Sequence, residues 1–88
     1  MGYNPTMPEN EMIIFYGTAW CGDSRRARVL MDRLKIPYHW VDIDQDKNAA
    51  RLVEELNHGF RSVPTIVWPD GSILVEPSNE ELAAKLGI

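Results

Sequence analysis

The sequence predicts a single α/β domain in which a mixed four-stranded sheet carries three helices, in the order β-α-β-α-β-β-α. Three observations lead there. Two short β-type apolar runs are each followed by a stretch of helical periodicity, a Pro-Asp-Gly turn then separates two further runs, and a capping signal opens a last amphipathic segment. Two parallel strands joined by a helix need a right-handed crossover, and a hairpin laid alongside leaves helices to cover both faces of the sheet. At 88 residues with 44% apolar and 25% charged side chains, the chain reads as one domain with one modest core, neither a disordered tail nor a low-complexity linker.

Residues 1–11 contain Pro5, Pro8 and two Asn without any periodic pattern, so they read as a flexible leader, with the domain proper at 12–88. Met12-Ile13-Ile14-Phe15-Tyr16 is β-branched and aromatic, ends at Gly17, and reads as a buried central strand. From Gly22 to Lys35, Ala27, Leu30, Met31 and Leu34 recur at i, i+3, i+4 and i+7, one core-facing stripe that Pro37 terminates. Tyr38 to Ile43 is a second, partly alternating strand running into the acidic loop Asp42 to Asp46, which reads as a solvated helix cap. Ala49, Leu52, Val53 and Leu56 form the stripe of a second helix over about Asp46–Asn57, with Gly59 beyond its end. Thr65 to Trp68 and Ser72 to Val75 flank Pro69-Asp70-Gly71 as a hairpin. Ser78-Asn79-Glu80-Glu81 is a capping box ahead of Leu82, Ala83 and Leu86.

Composition excludes several function classes. A net charge of −4 lacks the basic footprint of a phosphate-backbone binder, so nucleic acid is not an expected partner. One cysteine forms no internal disulfide, and Cys21, His39 and His58 match no zinc spacing, so no metal site is expected. His39 and His58 read as surface residues, and Trp40 and Trp68 as core or half-core. No apolar run reaches the ~20 residues of a membrane span and no signal pattern opens the chain, which makes the cytoplasm the expected location and a membrane no expected partner.

Cys21 falls where the first strand gives way to the first helix. Backbone N–H groups are unpaired there and the macrodipole is positive, a setting that favours a thiolate over an inert core thiol. Arg25, Arg26 and Arg28 add positive potential, against Asp23. Ser24, three residues on, shares the helix face of Cys21, so its hydroxyl can donate to the sulfur but cannot resolve a disulfide. A reactive Cys21 must therefore form a mixed disulfide with an external thiol and be released by another. Pro64, ahead of the hairpin, is either an edge feature or a cis bond.

Phe15-Tyr16-Gly17, Trp20-Cys21-Gly22-Asp23-Ser24, Val41-Asp42-Ile43, Arg61-Ser62-Val63-Pro64-Thr65 and Pro69-Asp70-Gly71-Ser72 together resemble the glutaredoxin family over residues 12–87, closest to its mycoredoxin-like branch. That resemblance implies a thioredoxin-like fold with strand order 2-1-3-4. It makes Cys21 the nucleophile, Pro64 a cis-proline, Val63 the residue whose backbone pairs with substrate, and Arg61 a contact for a thiol's terminal carboxylate. Trp20 before the cysteine is similar to thioredoxin, where that residue shapes an apolar docking surface for protein substrates, and Ser78 and Asn79 stand where the glutaredoxin family caps its last helix and holds the cosubstrate. Two departures matter. Thr18 replaces the Lys that many members carry three residues before the cysteine, and Pro77-Ser78-Asn79 replaces the usual Gly and acidic cap. Glutathione, mycothiol and bacillithiol thus all remain candidate cosubstrates.

The leading reading is a monothiol thiol–disulfide oxidoreductase: a monomer that reduces mixed disulfides between proteins and low-molecular-weight thiols and holds no obligatory cofactor. A carrier of a [2Fe–2S] cluster between two chains is a second, less favoured reading, because Asp23 stands where such members have Phe. A redox-silent binding module that docks partners on the Trp20/Pro64 face is a third.

Overall fold

The computed structural model describes residues 11–88. Except for Glu11, the expected leader lies outside them. Seven elements follow in the expected order: β1 (Ile13–Gly17), α1 (Gly22–Arg33), β2 (Tyr38–Asp42), α2 (Lys47–Leu56), β3 (Thr65–Val67), β4 (Ile73–Val75) and α3 (Asn79–Leu86). They build one sheet of order β2-β1-β3-β4, in which β1 runs parallel to β2 and antiparallel to β3, and β4 antiparallel to β3. The architecture is that of the thioredoxin-like fold.

Strand alternation sends β1 residues to two cores. On one face Phe15, with Ile13, packs against Ala27 and Met31 of α1, Leu82 of α3, Tyr38 and Ile66. On the other, Tyr16 packs with Ile43, Val41 and Val63 against Ala49 and Val53 of α2. Phe15 also stacks at a tilt on Tyr38 and Trp40, with ring centroids 5.5 and 5.6 Å away. Trp40 and Trp68 are half-buried, and His39 and His58 exposed, as their sequence contexts suggest.

The helix ends depart from the sequence reading. α1 stops at Arg33, before Pro37, because Leu34 leaves the helix and Lys35 turns left-handed (φ 56°). The Lys35 N–H then reaches Asp32 O and the Ile36 N–H reaches Met31 O, a Schellman closure made without glycine. Leu34, expected in the buried stripe, is consequently 40% exposed. After α2 both His58 (φ 57°) and Gly59 (φ 98°) take positive φ, and Leu52 lies 38% exposed on the flank of a stripe narrowed to Ala49 and Val53. Gly17 belongs to β1 rather than stopping it, and it is there for space. A Cβ at this position would lie 2.7 Å from Ser24 Oγ and 2.9 Å from the Trp40 ring.

Candidate active site

The carboxyl end of β1 leads through Thr18-Ala19-Trp20 to Cys21, which is the N-cap of α1 with extended backbone angles (φ −75°, ψ 121°). An N-cap side chain faces the first free N–H groups of its helix. Here the Ser24 N–H donates to Cys21 Sγ at 3.5 Å, so the sulfur itself is the capping acceptor. The thiol in turn donates to the Val63 carbonyl oxygen at 3.8 Å. Cys21 is half-buried, placed between a helix end that supplies positive potential and a backbone carbonyl.

Val63 belongs to the loop that enters β3, and the Val63–Pro64 peptide is cis. Hydrogen bonds hold that loop. Thr65 Oγ1 donates to Ser62 O at 2.7 Å and accepts from Asn57 Nδ2 at 3.1 Å, while Pro64 O accepts from the Glu76 N–H at 2.8 Å. The fold thus brings Cys21 and the cis-proline loop together from positions 42 residues apart.

Ser24 differs from expectation. Its hydroxyl is fully buried against Gly17, with no hydrogen-bond partner among the described residues, and the contact to sulfur comes from its backbone N–H. Thr18 is buried likewise and its Oγ1 is also unpartnered among the described residues.

Trp20 is 71% exposed beside the cysteine. Its indole N–H donates to Asp44 Oδ2 at 2.7 Å, and Asp44 Oδ1 also receives the Arg61 guanidinium in an ion pair. Asp44 is the site residue that sequence reasoning missed, having grouped it with a solvated loop. Arg61 therefore stands near the cysteine loop with part of its charge already engaged.

At the start of α3 the capping box is complete. Ser78 Oγ accepts from the Glu81 N–H at 3.0 Å, and the Ser78 N–H donates to Glu81 Oε1 at 2.9 Å, which holds the Glu81 carboxyl below the usual carboxylate range. Asn79 Oδ1 accepts from Arg26 at 2.7 Å, and the same guanidinium reaches Pro77 O at 3.2 Å and Asp23 Oδ1 at 3.3 Å. Arg26 thereby ties the cysteine helix to the start of α3. Among the described residues no group of three or more His, Cys, Asp or Glu side chains could hold a metal ion, and no helix is long and apolar enough to cross a membrane.

Residues 13–73 match the glutaredoxin family model. A Mycobacterium tuberculosis protein named as a glutaredoxin is 40% identical over 74 residues, covering 84% of this chain and 88% of that protein. Mycoredoxin 1 of Corynebacterium glutamicum is 34% identical over 74 residues, covering 84% of this chain and 91% of its own.

Proposed function

This chain belongs to the glutaredoxin family and is a thiol–disulfide oxidoreductase, and on that premise we propose that it works through one thiol, reducing mixed disulfides between proteins and a low-molecular-weight thiol at Cys21. The observation that carries this reading is the setting of the chain's one cysteine, capped by the Ser24 N–H and opposed by the Val63 carbonyl.

The chemistry balances with one protein sulfur. The Cys21 thiolate attacks the low-molecular-weight sulfur of a mixed disulfide, the old S–S bond breaks, and the substrate sulfur leaves as a thiolate that takes a proton. A second low-molecular-weight thiolate then attacks the disulfide on Cys21. It returns Cys21 as thiolate and carries both sulfurs away as a small disulfide, so the external thiols supply the two electrons. Ser24 acts here through its backbone N–H. Trp20, Val63 and the cis-Pro64 form the docking face, with the Val63 backbone pairing to substrate, while Arg61, Ser78 and Asn79 receive the polar ends of the small thiol. One chain suffices, so the working unit is a monomer. A reducing cytoplasm is where its thiol would turn over.

Resemblance to a protein named mycoredoxin makes mycothiol the first thiol to test. The test is mass spectrometry of the protein after mixing with oxidised glutathione, mycothiol and bacillithiol, followed by turnover of the matching mixed disulfide. A single adduct on Cys21 and turnover abolished by Cys21→Ser are expected. No adduct from any of the three, or a Cys21→Ser variant that retains turnover, overturns the proposal.

A further inference from the structure

Beside α1 lies a groove of about 300 Å³ that shares only Asn79 with the residues assigned to the reaction at Cys21. It is lined by Gly22, which follows Cys21 in the chain, by Arg25, Arg26, Val29, Leu30 and Arg33 of α1, and by Asn79 at the start of α3. Spacings of three and four keep the α1 side chains along one helical face. Of the residues assigned to the substrate and the small thiol, Trp20, Arg61, Val63, Pro64 and Ser78 do not line it; Asn79 does, and its Oδ1 is already taken by Arg26.

Its arginines are not equivalent. Arg26 is engaged by Asn79, Pro77 and Asp23. Arg25 and Arg33 are exposed and make no hydrogen bond or ion pair with any described residue. Val29, between them, is 46% exposed. The result is a cationic, apolar, cationic row leading away from the cysteine, on a chain whose net charge is −4. An acidic polypeptide is repelled by the molecule as a whole and attracted along this one row, an arrangement that confers orientation and selectivity.

We propose that this groove docks the polypeptide that carries the mixed disulfide, and that it selects an acidic segment with an apolar residue between its acids. The inference rests on the mixed-disulfide reading of Cys21. Helical rise places Arg25 about 4.5 Å, Val29 about 10 Å and Arg33 about 16 Å along from Gly22. An extended chain covers those lengths in roughly one to two, three and five residues. The preferred substrate therefore carries an acid next to or one beyond its modified cysteine, an apolar residue about three away, and a second acid about five away.

The experiment compares two peptides, with Glu or Lys five residues from a cysteine held in mixed disulfide with whichever of glutathione, mycothiol or bacillithiol forms the Cys21 adduct. A hydroxyethyl mixed disulfide of the same thiol serves as the control without a polypeptide. At low salt, wild-type kcat/KM is expected to be about fivefold higher for the Glu peptide, the size of one exposed attraction exchanged for a repulsion. That preference should shrink in 0.5 M salt over roughly a 4 Å Debye length. Arg33→Glu should reverse the order and Arg33→Gln abolish it, with the hydroxyethyl substrate turned over at the wild-type rate by both. Equal rates for the two peptides, or an order that Arg33→Glu leaves unchanged, overturns the groove assignment while turnover of the hydroxyethyl substrate keeps the mixed-disulfide reading intact. No wild-type turnover of the hydroxyethyl substrate overturns both.

Discussion

Trp20 and Arg61 stand in segments far apart in sequence, and both end on the carboxylate of Asp44, one oxygen for each. An exposed tryptophan and an exposed arginine each have many rotamers to lose on binding, at a cost of up to about 2 kcal/mol for the arginine. A shared anchor removes part of that cost before substrate arrives. No hydrogen bond joins Asp44 to Cys21 or to its two hydrogen-bond partners, so its effect should fall on binding rather than on the chemical step. Asp44→Ala is expected to raise KM for the small-thiol mixed disulfide by about threefold to tenfold, some 0.7–1.4 kcal/mol, with kcat nearly unchanged. Steady-state kinetics decide it, and a fall in kcat at constant KM would remove Asp44 from a positioning role. Sequence reasoning could find Cys21 because a strand-to-helix junction is a local pattern. It could not find Asp44, whose partners lie 24 and 17 residues away and meet it only after the sheet has formed.

At the scale of elements, periodicity located all three helices, and their ends were set by backbone closure that periodicity does not encode. Leu34 fits the apolar spacing of α1, yet the chain turns left-handed at Lys35 to pair the last carbonyls, and the leucine is carried into solvent. Left-handed backbone costs a Cβ-bearing residue roughly 1 kcal/mol that glycine avoids. Lys35→Gly should therefore stabilise the fold by about 0.5–1 kcal/mol in urea denaturation while leaving activity alone, and a loss of stability would contradict the Schellman assignment. A second test at this scale concerns Tyr38, where β2 meets α1. Burial, followed by its hydrogen bond to Asp32 Oδ1 at 2.7 Å, raises the Tyr38 phenol above the ordinary value of 10.0. The fold thus favours the neutral phenol. Its stabilising contribution is complete below pH 10 and is lost as pH climbs through the raised folded-state value. Alkaline denaturation should show wild type losing its advantage over Tyr38→Phe above pH 10, whereas a gap that stays constant to higher pH would refute the coupling.

For the whole molecule, the candidate site at Cys21 depends on a sheet that is covered on both faces by little material. β1 is the shared wall, since its Phe15 is fully buried among α1, α3, β2 and β3 while Tyr16 faces α2, and its carboxyl end delivers Cys21. A domain of this length has a net stability of roughly 4–13 kcal/mol. Truncating a buried Phe costs about 3–5 kcal/mol in lost transfer energy and cavity formation. Phe15→Ala should therefore remove from about a quarter to all of that stability, whereas Phe15→Leu, which refills most of the volume, should cost under about 1.5 kcal/mol. Catalysis separates this global effect from a local one. Phe15 touches no residue of the Cys21 site by hydrogen bond, so the folded fraction of Phe15→Ala, counted by circular dichroism in the same cuvette, should retain wild-type KM and a kcat scaled to its population. A folded Phe15→Ala with raised KM would instead mean that the core sets the geometry of the site directly, through Trp40 and its contacts with the Gly17 and Ser24 junction.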